Sequence, residues 1–460
     1  MFLEAESRTA HMHVGWVARF APPPGGRAPA FDELRAHVAA RLAAAPRYRQ
    51  RLAPVPLGLN TPQWVADERF DLDRHLIRSP LPQLDEMARL ALSSPLDRER
   101  PLWELWIADS LADGSIGVVG KAHHCMVDGM AAIALALLLV DLGEETPAPP
   151  AAVESWDAGP APATAGLIAG ALRDRLTAQA SSVVDAVRHA AAPADVVRDA
   201  RRIANALVHT ASSSAPPSPL NVPLSPLRTL VPLRRSRDEL REAARHHGVS
   251  FNDLALAGCA GGLRTMFERR GEPVSRLRAS VPVNVRRPGS GRFGNRFSFM
   301  LVDLPCDEPR PLHRLMRIHF ATRRYKSAGV PDGADALLRA AAAVPPPVAG
   351  LVSRLGSSPR TFNLAISNVP GPPGPVYLRG CRLREVYPVV PLADRHALAI
   401  GVMTAGADVF FGLHADPRAL PDVRALAGDI DAALDELKPT ARRRRAGAAP
   451  RGSRRLAAVR

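Results

Sequence analysis

Apolar residues in the first 142 positions recur at spacings that predict both helices and strands. One helical stripe should end near Pro46, and its members are Phe31, Leu34, Val38 and Leu42. Strand patterns cover His13 to Phe20 and Ile116 to His123. An apolar helix is predicted from Met130 to Leu142, after the second strand, so residues 123–129 should form a turn at a strand end. Catalytic residues are often located in such loops.

The second half of the chain alternates predicted helices with apolar strands. One helix should end at Gly248, and the next should begin near Asn252 and Asp253, whose side chains can cap a helix. Short apolar runs predict further strands at 277–285, 297–304, 364–367, 397–403 and 409–414. Strands interleaved with helices are typical of an α/β layered architecture.

A segment rich in Ala, Pro and Ser separates these two patterned halves. It predicts two amphipathic helices, one before and one after Pro193. The polar faces of these helices carry charges of both signs, which favours contact with the protein over contact with a membrane. The predicted divisions are an N-terminal lobe over 1–142, a helical connector over 143–225, a C-terminal lobe over 226–437 and a basic tail over 438–460.

Length and composition favour two large lobes in a reducing compartment. A chain of 460 residues exceeds the roughly 100 to 200 residues of one ordinary domain. The four cysteines are scattered and form no CxxC pair, so neither a disulfide framework nor a zinc site is predicted. The first residues do not have the pattern of a secretory signal, and the 13-residue run from Met130 to Leu142 is shorter than the roughly 20 residues of a membrane span. A cytoplasmic location is expected.

The positive net charge is concentrated at the C-terminal end. Nine basic residues and no acidic ones lie between Lys438 and Arg460, and without them the formal charge falls from +15 to +6. Such a tail is either simply solvated or touches anionic lipid headgroups, at about 1 kcal/mol per basic residue near a membrane surface. Nucleic acid is not expected as a partner, because no aromatic residues are interleaved with the basic ones.

The motif with the clearest chemistry is HHCMVDG, residues 123–129. Neighbouring side chains at a strand end point to opposite faces, so one histidine can enter a channel while the other packs beside it. A neutral imidazole, with an unperturbed pKa of about 6.5, can take the proton of an alcohol that attacks a carbonyl. Asp128 can orient the loop through a hydrogen bond or ion pair, and Gly129 permits tight backbone geometry.

The motif alone leaves other interpretations open. The paired histidines could be hydrogen-bonded core residues, or His123 and Asp128 could form the HxxxxD motif of membrane glycerolipid acyltransferases. A metal site is not expected, since neither HExxH nor a cysteine cluster completes a ligand set. GxSxG and GxxxxGK[ST] are absent, and the GxGxxG at 289–294 is followed by a predicted strand, so we interpret it as a loop.

Longer segments resemble the wax ester synthase/diacylglycerol acyltransferase family, which shares HHxxxDG with CoA-dependent acyltransferases and peptide-synthetase condensation domains. The segments appear in the order of the family up to about residue 435. They are HMHVG (11–15), PLW (101–103), PLNVPLSPLR (219–228), SFNDLALAGCAGGLR (250–264), VPVNVR (281–286), GNRFSFMLVDLP (294–305), SNVPGPPGPVYLRG (367–380) and VYPVVPL (386–392). Ordered matches of this extent are more specific than the seven-residue motif.

The resemblance implies an α/β fold of two lobes similar to chloramphenicol acetyltransferase. Each lobe would be a mixed β-sheet flanked by helices, with the active-site channel at the interface of the lobes. His124 would be the general base, His123 its supporting neighbour, and Asp128 mainly structural. The residues that would shape the site or bind substrate are Gly129, Asn252 and Asp253.

The activity implied by the resemblance is transfer of a fatty acyl group from acyl-CoA to diacylglycerol, to a long-chain alcohol, or to both. Acyl-CoA would be a co-substrate, with no cofactor and no metal. Peripheral contact with a membrane or lipid body would bring the lipid alcohol to the enzyme. Two other functions stay open: a related acyltransferase for another secondary alcohol or a carrier-bound donor, and a non-catalytic protein that binds lipid surfaces.

Overall fold

The computed structural model consists of two six-stranded sheets with helices around them. It describes residues 2–43, 45–56, 60–126, 136, 140–144, 163–170, 173, 176–177, 214–284, 297–327, 356–372 and 374–439. The helices are α1 (Phe2–Ala5), α2 (Phe31–Leu42), α3 (Leu84–Ser93), α4 (Arg237–His246), α5 (Phe251–Arg269), α6 (Pro311–Ser327) and α7 (Val423–Asp435). The strands are β1 (His13–Ala21), β2 (Gln50–Ala53), β3 (Gln63–Ala66), β4 (Leu76–Arg78), β5 (Trp103–Ala108), β6 (Ile116–His123), β7 (Thr229–Ser236), β8 (Leu277–Asn284), β9 (Phe297–Leu304), β10 (Leu364–Pro370), β11 (Tyr377–Leu378), β12 (Cys381–Val389), β13 (Leu398–Ala405) and β14 (Asp408–Ala415).

Both large sheets contain parallel and antiparallel neighbours. The first has the strand order β11-β12-β1-β6-β5-β4, and the second has the order β7-β14-β13-β10-β8-β9. In the first sheet only β4 and β5 run parallel, whereas in the second β10 is parallel to both β13 and β8. Strands β2 and β3 form a small sheet of their own. The predicted α/β class, with mixed sheets flanked by helices, is confirmed.

Strand β12 comes from the second half of the chain but completes the first sheet. It pairs antiparallel with β1, so that Val389 lies opposite Gly15. Its other neighbours include β13 and β14 of the second sheet, where Gly401 and Gly412 are paired. A Cβ at Gly412 would lie 2.3 Å from the carbonyl oxygen of Pro388, so only glycine lets β12 approach this closely. Strand β12 therefore packs the first sheet against the second.

Helix α5 forms the centre of the second hydrophobic core. It packs against α6 and α7, and most of its side chains are buried. Gly258, Gly261 and Gly262 face α7, where a Cβ would come within 2.4 to 2.6 Å of Leu434, Ala433 and Ile430. The glycines thus allow a close helix contact at some cost in helix propensity.

Several predicted segments fall largely outside the described residues. They are the two connector helices, the loop with GxGxxG and the basic tail beyond Pro439. Within the connector, residues 164–170 are helical, and Leu167 packs on Ala53 and Val65. The bounds predicted for the lobes, connector and tail stay a prediction. Among the helices that are described, none has the length and apolar character needed to span a membrane.

Candidate active site

The tandem histidines lie where β6 ends, as the sequence predicted. Strand β6 is buried along its whole length between β1 and β5, so its last residue is held on both sides. The His123 N–H donates to the Leu102 carbonyl at 2.9 Å, and the His124 N–H donates to the Met12 carbonyl at 3.0 Å. Met12 has a φ of 50°, a strained value for a residue other than glycine. The backbone of the motif is therefore fixed from both neighbouring strands.

A tight turn follows the histidines. The Met126 N–H donates to the His123 carbonyl at 2.9 Å, and the Cys125 N–H donates to Nδ1 of His123 at 3.1 Å. Because Nδ1 accepts this hydrogen bond, the proton of a neutral His123 ring must be on Nε2. His123 is buried at 1% exposure and accepts a hydrogen bond within the turn, while its supporting role toward His124 stays a prediction.

His124 is the more accessible of the two histidines. It is half-buried, and its ring stacks on Phe2 of α1 with centroids 3.8 Å apart and an interplanar angle of 13°. His123 is instead next to Glu6, whose Oε2 lies 3.5 Å from Nε2 of the ring. Burial raises the pKa of Glu6, but hydrogen bonding from His123 and Arg98 outweighs it and lowers the pKa overall. Glu6 is consequently a carboxylate at neutral pH.

Cys125, the residue after the two histidines, lies in an environment that disfavours a nucleophilic thiolate. Burial, with a smaller contribution from the charge of Glu6, raises the pKa of its thiol to about 12. A reactive cysteine needs the opposite shift, since the thiolate is the nucleophilic form. An acyl-cysteine intermediate is therefore disfavoured at this position.

Asp128 and Gly129 lie outside the described residues, so their predicted roles remain predictions. Asn252 and Asp253 are at the start of α5 in the second sheet's core, and of the two only Asp253 takes part in capping the helix. The N-cap is Ser250, whose side chain and that of Asp253 form a reciprocal capping box. Asn252 is half-buried in the first turn of the helix.

Asp253 connects α5 to α6. Its carboxylate accepts a hydrogen bond from Thr322 at 2.7 Å and lies 2.9 Å from Nδ1 of His319. Burial raises the pKa of Asp253, but hydrogen bonds from His319, Thr322 and Ser250 outweigh it, so the pKa is lowered overall. With the residue only 2% exposed, its carboxylate is committed to helix packing. A site-shaping role for Asp253 would therefore act through the position of α5.

Three further histidines are buried where the two sheets meet. His13 is the first residue of β1, His11 precedes that strand by two residues, and His414 is on β14. Burial lowers the pKa of all three, and the charge of Arg228 or Lys121 lowers it further. The pKa of His414 falls to about 3, so these imidazoles are neutral at pH 7.

Lys121 is a buried cation that sequence reasoning missed. Its Nζ donates to the carbonyls of Ala91 and Ser94 at 2.7 and 2.8 Å and forms an ion pair with Glu104 at 2.9 Å. Burial lowers its pKa, although Glu104 opposes the shift. The sequence signal that could have indicated this residue is a lysine in an otherwise apolar strand, two residues before the first histidine.

Within the described ranges, no group of three or more His, Cys, Asp or Glu side chains is arranged to hold a metal ion.

Two family models together match most of the chain. The wax ester synthase/diacylglycerol acyltransferase catalytic domain matches residues 1–255. The C-terminal domain of the same family matches residues 293–438.

Two proteins of Mycobacterium tuberculosis are similar to this chain along nearly its whole length. A protein of Mycobacterium tuberculosis (strain CDC 1551 / Oshkosh) named "probable diacylglycerol O-acyltransferase tgs1" is 32% identical over 463 residues, which cover 96% of this chain and 95% of the relative. The protein named "probable diacylglycerol O-acyltransferase tgs2" from the same strain is 32% identical over 454 residues, covering 95% and 97%.

Solved structures extend the comparison to the fold. The wax ester synthase/diacylglycerol acyltransferase of Marinobacter aquaeolei VT8 is 27% identical, with a TM-score of 0.64 and coverage of 95% of this chain and 96% of the other. The first condensation domain of the CDA synthetase shares the fold, with a TM-score of 0.57 at 14% identity and coverage of 95% and 94%. The matches to both family domains and the relatives similar over almost the full length show that this chain belongs to the wax ester synthase/diacylglycerol acyltransferase family.

Proposed function

We propose that this protein is an acyl-CoA-dependent O-acyltransferase that esterifies the hydroxyl of diacylglycerol, of a long-chain alcohol, or of both. The observation that carries the proposal is the position of His124, half-buried at the end of a buried strand within the HHxxxDG motif. The names of the mycobacterial relatives support diacylglycerol as the acceptor, and the name of the Marinobacter relative adds wax esters.

The proposed reaction is a direct transfer in a ternary complex. A neutral His124 takes the hydroxyl proton as the alcohol oxygen attacks the thioester carbonyl carbon, and a tetrahedral oxyanion forms. Collapse of this intermediate breaks the C–S bond and releases the ester and CoA thiolate. The imidazolium of His124 then returns the proton to the thiolate. The high pKa of the Cys125 thiol supports a route without an acyl-enzyme.

The other motif residues are proposed to prepare the site for this step. Asp128 would hold the loop, and Gly129 would allow the chain to turn sharply into the next helix. A backbone amide near Gly129, or the side-chain amide of Asn252, would donate a hydrogen bond to the oxyanion. Asp253 would keep Asn252 in place through its contacts with α6.

Replacement of His124 tests the proposal directly. With palmitoyl-CoA and an equal mixture of dioleoylglycerol and hexadecanol, His124→Ala should lower turnover by about 100- to 10,000-fold, because the general base is lost. His313→Ala is the matched control, since His313 is an exposed histidine on α6. CoA release measures turnover, and chromatography of the lipids shows whether triacylglycerol, wax ester or both are formed.

A folded His124→Ala protein with nearly wild-type turnover would remove the assignment of the base. If the wild-type protein releases no CoA with any of a panel of alcohols, it would instead be a non-catalytic lipid-binding protein. Activity with an acyl group on a carrier protein, but not on CoA, would indicate the related acyltransferase function.

We further propose that the protein is cytoplasmic and makes peripheral contact with a membrane or lipid-body surface. The free cysteines support a reducing compartment. Phe320 on helix α6 is 64% exposed. The exposed cations Arg317, Arg323 and Arg324 lie three or four positions from it on the same helix. An aromatic side chain surrounded by positive charge suits an anionic lipid surface, and the basic tail would add to the attraction.

Flotation with vesicles measures this contact. The wild-type protein should float with vesicles of phosphatidylglycerol and phosphatidylcholine more than with phosphatidylcholine alone, and Phe320→Ser should reduce the bound fraction several-fold. Leu90→Ser is the control, because Leu90 is an exposed apolar residue on α3 and the residues one helical turn away, Glu86 and Ser93, are not basic. Equal flotation of the two variants would exclude α6 as the contact surface.

A further inference from the structure

The residues just before β1 make two contacts with the tandem histidines that the proposed reaction does not use. Phe2 stacks face to face on the ring of His124. Glu6 lies beside His123, with Oε2 3.5 Å from Nε2, and it also forms an ion pair with Arg98. One short segment, Phe2 to Glu6, therefore contacts both rings of the motif.

We propose that Phe2 and Glu6 are positioning residues for His124, so that the segment Phe2–Glu6 is part of the catalytic apparatus. The inference rests on the proposed role of His124 as the general base. Neither residue is proposed to contact substrate. Each acts through the histidine that it contacts.

Glu6 acts through the tautomer and orientation of His123. The Glu6 side chain is 13% exposed and that of His123 is 2% exposed, so the carboxylate and the ring face each other with little solvent between them. A carboxylate on the Nε2 side favours a proton there, which leaves Nδ1 free to accept from the Cys125 N–H. That hydrogen bond shapes the turn directly after His124. Loss of the carboxylate would loosen the turn and the base with it.

Phe2 acts on the plane of the His124 ring. Face-to-face stacking at 3.8 Å restricts rotation of the imidazole ring. An aromatic face also attracts a cation, so Phe2 favours the imidazolium that forms when the alcohol proton is transferred. The contact therefore holds the base in one orientation and stabilises its protonated product.

The charged and titratable groups around Glu6 and His123 come from three parts of the chain. Arg98 precedes β5 and neutralises part of the charge on Glu6. His13 on β1 lies opposite His123, and burial keeps its pKa well below the usual value. Cys125 in the turn remains a thiol. Glu6 is thus the one carboxylate among these neighbours within the described residues.

Two variants with a matched control test the inference on the full chain. Glu6→Gln and Phe2→Leu should each lower kcat about tenfold and change KM by less than about twofold, because orientation of the base is lost while the substrate contacts remain. The acid limb of the kcat/KM profile should move to lower pH in both, since Glu6→Gln removes a negative charge beside the tandem histidines and Phe2→Leu removes the aromatic face on which His124 is stacked. Glu4→Gln, which changes an exposed carboxylate between Phe2 and Glu6, should match the wild type in all three quantities.

Glu6→Asp, which keeps the carboxylate, should recover part of the lost kcat. If Glu6→Gln does not fold, Glu6→Asp and Phe2→Leu still test the inference through the pH profile. Wild-type kcat and an unmoved acid limb in both Glu6→Gln and Phe2→Leu, or a change in KM alone, would overturn it. His124→Ala in the same assay separates the two proposals: full activity there overturns the function of His124, whereas its loss beside unaffected Glu6 and Phe2 variants overturns only the positioning role.

Discussion

The buried histidines between the two sheets link single residues to the stability of the whole protein. His414 donates from Nδ1 to the Val390 carbonyl at 2.7 Å, so its Nε2 carries the lone pair that a proton would occupy. His414 is only 3% exposed, so a proton on Nε2 would add a buried positive charge close to that of Arg228. The neutral form is therefore the only one that the folded state accommodates well.

This arrangement predicts a loss of stability in acid. An unfolded histidine binds a proton near its ordinary pKa of about 6.5, whereas the folded His414 does so only at about 3. The stabilisation is complete above the unfolded value and is lost as the pH falls toward the folded one, at about 1.4 kcal/mol per pH unit for one histidine. The free energy of unfolding in urea should therefore fall from pH 7 to pH 5, with a shallower slope for His414→Gln.

His313→Gln serves as the control for that slope, since His313 is exposed and should not contribute. If His414→Gln and the wild type lose stability at the same rate between pH 7 and pH 5, His414 is not the source of the acid sensitivity. Burial of His11 and His13 is expected to keep some slope in every variant.

The chemistry of individual residues was only partly predictable from the sequence. HHCMVDG and its resemblance indicated the tandem histidines, and the structure places them in the expected turn. Glu6 and Phe2 could not be connected to them, because that contact depends on how the chain before β1 folds back. Asp253 was expected to shape the site, but its contact with His319 requires the packing of α5 on α6.

Among the elements, the contact between α5 and α7 shows a balance between helix propensity and packing. Glycine in a helix interior usually costs about 1 kcal/mol relative to alanine. At Gly262, however, an added Cβ would lie 2.4 Å from Cγ1 of Ile430 and 2.7 Å from its backbone nitrogen. The backbone of α7 cannot move away as a side chain can, so the steric cost exceeds the gain in propensity.

Gly262→Ala should accordingly lower the free energy of unfolding by about 1 to 3 kcal/mol. Gly428→Ala is the contrasting variant, because Gly428 is exposed on α7 and a Cβ there meets nothing within 4 Å. That change should raise stability by about 0.5 to 1 kcal/mol. Urea denaturation of both proteins would measure the difference, and a stabilising Gly262→Ala would show that the helices can separate without cost.

Elements with strong periodicity were predicted closely. Strands β6 and β9 have the predicted bounds, and β13 and β14 differ by one or two residues at their ends. Short edge elements such as β4 and β11 were missed, since two or three residues hold too little pattern to recognise. The start of α5 was predicted within two residues, but its cap, Ser250, was not identified.

At the scale of the whole molecule, the order of strands in the sheets does not follow the order of the chain. The residues of β11 and β12 belong to the first sheet, although they follow four strands of the second sheet, β7 to β10, along the chain. Local patterns report how a segment folds and not which sheet it joins, so sequence reasoning assigned these residues to the C-terminal lobe. Pairing of β12 with β1 depends on contacts between residues more than 350 positions apart, such as Gly15 and Val389.

The crossing of β12 limits how this enzyme can be recombined. A chimaera that joins the first half of one relative to the second half of another would carry a borrowed strand in the middle of its first sheet, beside β1 and directly against Gly401 and Gly412. Exchange of acceptor or donor specificity between relatives therefore calls for a graft in three pieces, in which residues 377–389 travel with the N-terminal part.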